Sequence, residues 1–584
     1  MRNRILVINF NIDDMLFNRS HLLACTGLVI LHSLIGCRVE TVPAEHALYN
    51  GIVIPDQWPP RYAEPDTAAV MPVPYLDNKP LVIPVNVGRQ LFVDNFLISE
   101  TNLTPIYHKP HFYVGNPILE PSAEWENTTE GAPYAAPFSD GIGYDEKERK
   151  FKMWYLAGAG SIHKQDKQTF YTGYAESNDG KHWIKPELDL VKGTCLVDTA
   201  NRDAATIWLD RKEKDPARRY KMFNVERRPT DRRWQFILKY SPDGIHWSEG
   251  VAQSGDLYDR SSVFYNPFRD VWCLSMRYGT KVSSRSRSYL EAKDPETAVS
   301  MAHRVRRGIP DKNVVFWFTP DNLEPRHPNF PEVNPGIYNF DAIAYESIML
   351  GQYSVWQGPE NDICGKLGIQ KRNEICLGYS RDGFHFSRPT HEPFLANDTT
   401  EGAWNWGNMQ SIGGVPLIVG DSLYFYTSGR RLNNIMWDSY TSTGLAVLRR
   451  DVFVSMNAGN EEGFLVTEPL IFDGSYFFVN ANVANKNAEL LVELLDENSN
   501  VLPGYSRSDC LSLKGKDKTK ILVTWKRYKD VSELKNKVIR VKFYLTQGDI
   551  YAFWVSPWST GESRGYTAGG GPNMNASGVD EPVE

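Results

Sequence analysis

The chain has 584 residues, enough for more than one domain, and its 12% aromatic content with 16 Trp, 44 Gly and 36 Pro suits an all-β protein with many turns. A formal net charge of −7 and the lack of any long basic run argue against nucleic acid as a partner. No nucleotide-binding glycine loop is present, and long helical periodicity is scarce.

The first element is HLLACTGLVILHSLIGC, residues 21 to 37. It is apolar but short for a membrane span, follows Arg19 and ends in small residues, which is the shape of a secretory signal. Leu34-Ile35-Gly36-Cys37 resembles a bacterial lipoprotein signal, so Cys37 is expected to carry lipid after cleavage. A buried strand ending in a chance Cys is the alternative. Residues 1–36 are thus assigned to a signal peptide and the Pro-rich stretch 37–88 to a tether. The expected location is the bacterial cell envelope, with the membrane engaged through the lipid.

Residues 89–456 are predicted to form a five-bladed β-propeller. ESNDGKHWIKP, YSPDGIHWSEG and YSRDGFHFSRP repeat one pattern, Ser-x-Asp-Gly-x-His-aromatic, starting at residues 176, 240 and 379. Asp-Gly between aromatic-rich runs marks a tight hairpin turn, because Gly accepts positive φ. WFTPDNLEP and LAVLRRDVFVSM supply two degenerate copies, so the anchors are Asp179, Asp243, Asp321, Asp382 and Asp451, at steps of 64, 78, 61 and 69. Five repeats of that length fit five four-stranded blades. The recurring His182, His246 and His385 are expected to be structural. The basic segment 283–310 interrupts blade three and is expected to hold a short helix over the propeller face.

Six alternating apolar runs from EGFLVTEPLIF to DIYAFWVS predict a β-sandwich over residues 457–560. The fold class is therefore all-β, a five-bladed β-propeller followed by a C-terminal β-sandwich. The Gly-rich polar tail, 561–584, is expected to be disordered. Beyond Cys25 and Cys37, the five remaining Cys have no metal-site spacing; Cys364 and Cys376 are open to pairing, although buried thiols are the expectation.

The chemistry is expected where the innermost strands open onto the channel. Aligning their turns at Asp145, Asp210, Asn266 and Glu346 puts Asp140 and Asp341 five residues before the turn, and Asp203 and Asp259 seven before it. Five and seven share parity, so the four carboxylates should face one way. Glu346 is the reserve acid, since a one-residue slip inverts a face. Crowded carboxylates hold one proton near neutrality while another stays ionised, as glycosidic cleavage requires. The alternative use is capping turns or binding a structural cation in the channel; no other cofactor or metal is expected. Arg202, Arg260, Arg277 and Arg430, with Arg431, stand near the same mouth, suited to holding an Asp ionised or binding a substrate carboxylate or sulfate. Trp404 and Trp406 in GAWNWGN are candidates to stack on a sugar, with Asn405 and Asn408 beside them; burial in the core is the alternative for both Trp.

At RQLFVDNFLI, FKMWYLAG, RDAATIWLD, YNFDAIAYES, GAWNWGN and VTWKR the sequence resembles five-bladed propeller glycosidases of the glycoside hydrolase family 32/43 type, closest to an exported bacterial group described as family 32 N-terminal domain-like. The resemblance implies a first-blade nucleophile or base at Asp140, a transition-state stabiliser at Asp203 within Arg202-Asp203, and an acid at Asp259 or Asp341. PFSDGIG lacks the family's Asn-Asp-Pro signature, and no Glu-Cys accompanies Asp259. GNPILEPSAEW is also similar to the lead-in of mannoside phosphorylases. The expected activity is exported glycoside hydrolysis of plant or algal oligosaccharides. The alternatives are a lyase, dehydratase or phosphorylase acting on an oligosaccharide, uronic or sulfated forms included, and a non-catalytic glycan-binding surface lipoprotein.

Overall fold

The computed structural model describes residues 46–126, 132–160, 170–431 and 440–583. The signal segment and Cys37 lie outside them. Five blades follow one another along the chain, and a parallel pairing of Thr441 with Tyr134 joins the fifth to the first in one eight-stranded sheet. Blade one runs Ala132–Asp145, Lys150–Gly160, Tyr171–Ser177 and Leu196–Asp198. Blade two runs Arg202–Leu209, Tyr220–Arg227, Trp234–Ser241 and Ala252–Gln253, and blade three Ser262–Asn266, Val271–Tyr278, Ser286–Ala292 and Val315–Phe318. Blade four has Gly336–Glu346, Ile348–Gly358 and Arg372–Ser380. Blade five pairs Ser422–Arg431 with Tyr440–Arg449, and its outer strand, His111–Phe112, comes from ahead of blade one.

Contacts link each blade to the next. Arg202 of blade two meets Asp140 of blade one at 2.9 Å, and Val263 N of blade three donates to Thr206 Oγ1 at 3.1 Å. Ser262 Oγ donates to Phe340 O of blade four (2.9 Å), Gln352 Nε2 to Gly414 O of blade five (2.7 Å), and Ser139 N of blade one to Ser411 Oγ (2.9 Å). Together with the strand order, these contacts describe a five-bladed propeller.

The repeated motif is the turn after the third strand. In the second copy Asp243 Oδ1 accepts from Ile245 N and His246 N, at 2.8 and 2.9 Å, while Oδ2 meets His246 Nδ1 at 2.7 Å. Asp179 with His182 and Asp382 with His385 repeat this geometry, so these His do serve the turn. The preceding blade then grips each turn. Tyr426 donates to Gly180 O (2.9 Å), Trp154 to Gly244 O (2.7 Å) and Trp317 to Phe384 O (2.8 Å). Gly244 has φ 82°, and a Cβ there would lie 2.5 Å from Trp154. Glycine is required on both counts.

Two six-stranded sheets form the sandwich. Its strand Ile539–Thr546 alternates buried and half-buried residues along its length, as a two-layer packing dictates. The core gathers Phe92, Phe477, Phe543, Phe553 and Trp525. The boundaries differ from those expected. Ile83–Pro84 and Ile98–Thr101 join one sandwich sheet, and Gln90–Leu91 and Thr104–Tyr107 the other. The sandwich therefore draws on both ends of the propeller. The segment 283–310 does hold a short helix, Pro295–Met301, but it packs Ala298 and Val299 into the core shared by blades two and three.

The Gly-rich tail is ordered where it was expected to be disordered. Tyr566–Thr567 pairs with Tyr345 and Glu346 of the blade-four inner strand. Gly569 O accepts from Tyr144 N at 3.0 Å, and Gly570 O accepts from Ile418 N at 2.9 Å. A Cβ on Gly571 would lie 1.7 Å from Ile418 O. The glycines allow close backbone approach across the end of the channel opposite the acids. All five described Cys are buried free thiols, and Cys364 and Cys376 are not paired with each other.

Candidate active site

One face of the disc collects the starts of inner strands, the ends of second strands and the starts of third strands. The inner strands are irregular there. Pairing slips between Ala136 and Gly141 in blade one, between Arg202 and Ala205 in blade two, and between Ile337 and Asn339 in blade four. Ser139 and Arg260 adopt left-handed φ of 61° and 60°. Bulges break the period of two on which the shared-face expectation rested. Asp140, Asp203, Asp259 and Asp341 therefore separate into two layers.

The lower layer is sealed. Asp140 and Arg202 pair at 2.9 Å with both side chains wholly buried, and Phe138 N donates to Asp140 at 2.8 Å. Arg202 Nε also donates to Thr172 Oγ1 at 2.8 Å. Asp341 Oδ2 accepts from Ser139 Oγ at 3.0 Å and from the Asn339 amide. Burial raises the pKa of Asp140 against the pull of Arg202, and raises that of Asp341 against Arg260. Between these two acids the channel narrows to a cavity of about 20 Å³, which holds roughly one water.

The upper layer is open. Asp203 is half-buried, and the paired side chains of Asp259 and Arg277 keep 27% and 25% exposure. Asp203 Oδ2 accepts from Arg260 N at 2.9 Å, which places it next to Asp259. The two acids are driven apart. Burial and the Asp259 charge raise the pKa of Asp203. At Asp259 burial pushes upward too, but Arg277 and Arg285 outweigh it and the pKa falls. Arg260 links the two layers: its N–H holds Asp203, while its guanidinium sits 3.3 Å from the Phe138 ring centroid and donates to Phe138 O (3.1 Å) and Ser411 Oγ (2.7 Å).

Around this pair stand residues that the sequence did not single out. Tyr338 opens the blade-four inner strand, three residues before Asp341. Its hydroxyl accepts from Gln410 Nε2 at 2.5 Å and lies 3.4 Å from Lys371 Nζ. Arg285 lies 4.3 Å from its ring centroid. Burial would raise the Tyr338 pKa, but Lys371 and Arg285 overcome it and the pKa falls. Burial lowers the pKa of Lys371, opposed by Tyr338 and reinforced by Arg430 and Arg285. Arg277 and Arg430, at the ends of second strands, were read from the sequence; Arg285 and Lys371 stand just before the third strands of blades three and four, and a search for cations at every third-strand start would have found them.

The remaining candidates divide. Arg430 joins the site, donating to Gln410 Oε1 at 2.5 Å. Trp406 is half-buried beside Gln370, Arg372 and His327, on a cavity of about 190 Å³. Trp404 is half-buried and packs into blade five against Gly429, Gly444 and Phe112. Asn408 is buried and accepts from Asn373 Nδ2 at 2.9 Å. Arg431 is exposed, over the Tyr440 ring at 4.9 Å. Glu346 lies at the far end of its strand, hydrogen-bonded to Arg450, Ser563 and Arg89 N. Among the described residues, Asp321, Glu324 and His391 form the single group close enough to ligate a metal ion. Arg388 already lies on both of those carboxylates, 2.7 Å from Asp321, so an ion would have to displace a guanidinium.

No family profile and no curated protein matches the chain. Among solved structures, the chain is similar to a β-fructofuranosidase from Schwanniomyces occidentalis, at 11% identity over 76% of this chain and 97% of that one, with a TM-score of 0.33. A β-fructofuranosidase of Bombyx mori shares 9% identity over 77% of this chain and 94% of its own, with a TM-score of 0.34. The chain is likewise similar to a glycosyl hydrolase from Bacteroides ovatus, at 15% identity over 62% and 97%, with a TM-score of 0.38.

Proposed function

We propose that the protein cleaves glycosidic bonds, with Asp203 as proton donor and Asp259 as the ionised carboxylate. The observation that carries this reading is the adjacent, open pair whose pKa values move in opposite directions. Such a split assigns acid and base roles between two like groups. Asp203 gives its proton to the glycosidic oxygen as the C–O bond breaks. Asp259 either attacks the anomeric carbon, forming a glycosyl ester that water then hydrolyses with Asp203 taking the water's proton, or itself takes a proton from the water that attacks; in both routes the water's hydroxyl ends on the sugar. These roles depart from those the family resemblance implies. Asp140 is closed off by Arg202, and its part here is to hold the bulge that presents Arg202-Asp203. Arg277 keeps Asp259 ionised, and Trp406 offers an aromatic edge for a further sugar.

The test is turnover of plant and algal oligosaccharides, followed by reducing-end release and by ultraviolet absorbance of unsaturated products. Reducing ends without unsaturation, lost in Asp203→Asn and in Asp259→Asn, support the reading. An unsaturated product overturns it in favour of elimination, with Tyr338 as base. Binding of glycans with no product from any of them overturns it in favour of a binding lipoprotein.

The proposal includes export and lipid attachment at Cys37, on the strength of the apolar run ending Leu-Ile-Gly-Cys. Labelled palmitate should enter the wild-type protein and not Cys37→Ser; equal labelling of the two removes the anchor.

A further inference from the structure

Three cations of the upper layer form no direct salt bridge with a carboxylate among the described residues: Arg285, Lys371 and Arg430. Every hydrogen bond they make is to a neutral group. Lys371 reaches the Tyr338 hydroxyl, Arg430 the Gln410 amide, and Arg285 stacks on Tyr338 with its Nη1 unpartnered. Lys371 is only 6% exposed. Burying a charge without a counter-charge is costly, and a chain of net charge −7 has no shortage of acids to supply one. Asp259 is bound directly by Arg277, and Arg285 and Lys371 act on it only at longer range. The three charges converge on one aromatic ring: Lys371 lies 4.9 Å and Arg285 4.3 Å from the Tyr338 centroid, and Gln410 links that hydroxyl to Arg430. Gln410 donates to the Tyr338 oxygen, which leaves the phenolic proton free to be donated in turn.

We propose that Arg285, Lys371, Arg430 and Tyr338 form a subsite for an oxyanion carried on the sugar ring, a uronate carboxylate or a sulfate ester. The proposal rests on the reading that Asp203 and Asp259 mark the sugar site, and it supplies the substrate class. Forked guanidinium donors with an ammonium and a phenol fit a planar or tetrahedral oxyanion. The bound anion brings a direct counter-charge, so acidic sugars should be selected over neutral ones of the same shape.

Calorimetric titration of the full chain tests this without turnover. The probes are the methyl glycosides of glucuronate, galacturonate and mannuronate, the matching neutral hexosides, hexose sulfates, and inorganic phosphate and sulfate. At least one uronate or sulfated sugar should bind about tenfold or more tightly than its neutral counterpart, and weaken with added salt. Arg285→Gln and Arg430→Gln, both at half-buried positions, should each weaken that binding roughly tenfold, and by more than they weaken binding of the matching neutral sugar. Preference for uronates over sulfates, or the reverse, identifies the source of the charge. The inference is overturned if no acidic sugar exceeds its neutral partner, if both variants bind like wild type, or if inorganic anions bind and no charged sugar does. Cleavage of neutral oligosaccharides that depends on Asp203 would defeat the subsite and leave the cleavage reading intact. Selective uronate binding with cleavage unaffected by Asp203→Asn would do the opposite.

Discussion

Both ends of the propeller bury a cluster of charged side chains, and the two clusters differ in what is left over. At the end covered by the tail, Glu346, Asp451 and Asp580 share two guanidinium groups. Arg450 meets Glu346 at 2.7 Å and Asp580 at 3.3 Å, and Arg89 meets Asp451 at 2.7 Å. Ser563, Tyr345 and Asn480 donate to the same carboxylates. At the open end the balance is reversed, with three cations outside any direct salt bridge. Split pKa values occur in both places: burial raises that of Glu346, while Arg89 and Arg450 outweigh burial at Asp451 and lower it. A perturbed carboxylate pair is therefore insufficient to mark a site. What separates the ends is exposure together with unsatisfied charge.

That contrast can be broken most directly by removing an acid from each end. Asp203→Asn and Asp259→Asn should each lower kcat by about 10²–10⁴-fold with folding unaffected, measured on the first oligosaccharide found to be cleaved. Glu346→Gln should leave kcat/KM unchanged and cost about 3–5 kcal/mol in urea unfolding, since it strips a partner from buried Arg450. If Glu346→Gln abolished activity in a folded protein, the assignment of the two ends would be reversed. Gly244→Ala should cost about 2–3 kcal/mol, from left-handed strain and the clash with Trp154, and it probes the scaffold independently of either cluster.

Smaller effects sharpen the comparison. Activity should rise with pH as Asp259 ionises, below the usual carboxylate range, and fall as pH passes through the raised pKa of Asp203. Initial rates across the pH range check this, and a rate still climbing above neutrality would contradict the proton donor. Arg430→Gln removes an unmatched cation, so its unfolding free energy should stay within about 1 kcal/mol of wild type or increase. A loss comparable to that of Glu346→Gln would mean that Arg430 is structurally committed.

The propeller was legible because its turns are local. Ser, Asp, Gly and His within seven residues build one hydrogen-bonded unit, so three copies announce themselves in sequence. The lead-in strands of the sandwich were not legible. Gln90–Leu91 is two residues long, and its partner Asp549–Ser556 lies more than four hundred residues away. The four acids of the site were found by position, but counting parity assumed regular strands, and the bulges at Asp140 and Asp203 broke it. Tyr338, Arg285 and Lys371 escaped because each belongs to a different strand start, and their convergence is a property of how neighbouring blades are set side by side.

Translation reaches Tyr566 only after all five blades and both sandwich sheets have been made. Until then the inner edge of blade four at Tyr345 and Glu346 has backbone groups with nothing to pair, and unpaired edges of that kind invite other chains. His111–Phe112 has the opposite history, since it is made first and waits for its blade. Ribosome-bound chains halted before residue 566 should accordingly be the aggregation-prone species in the life of this protein.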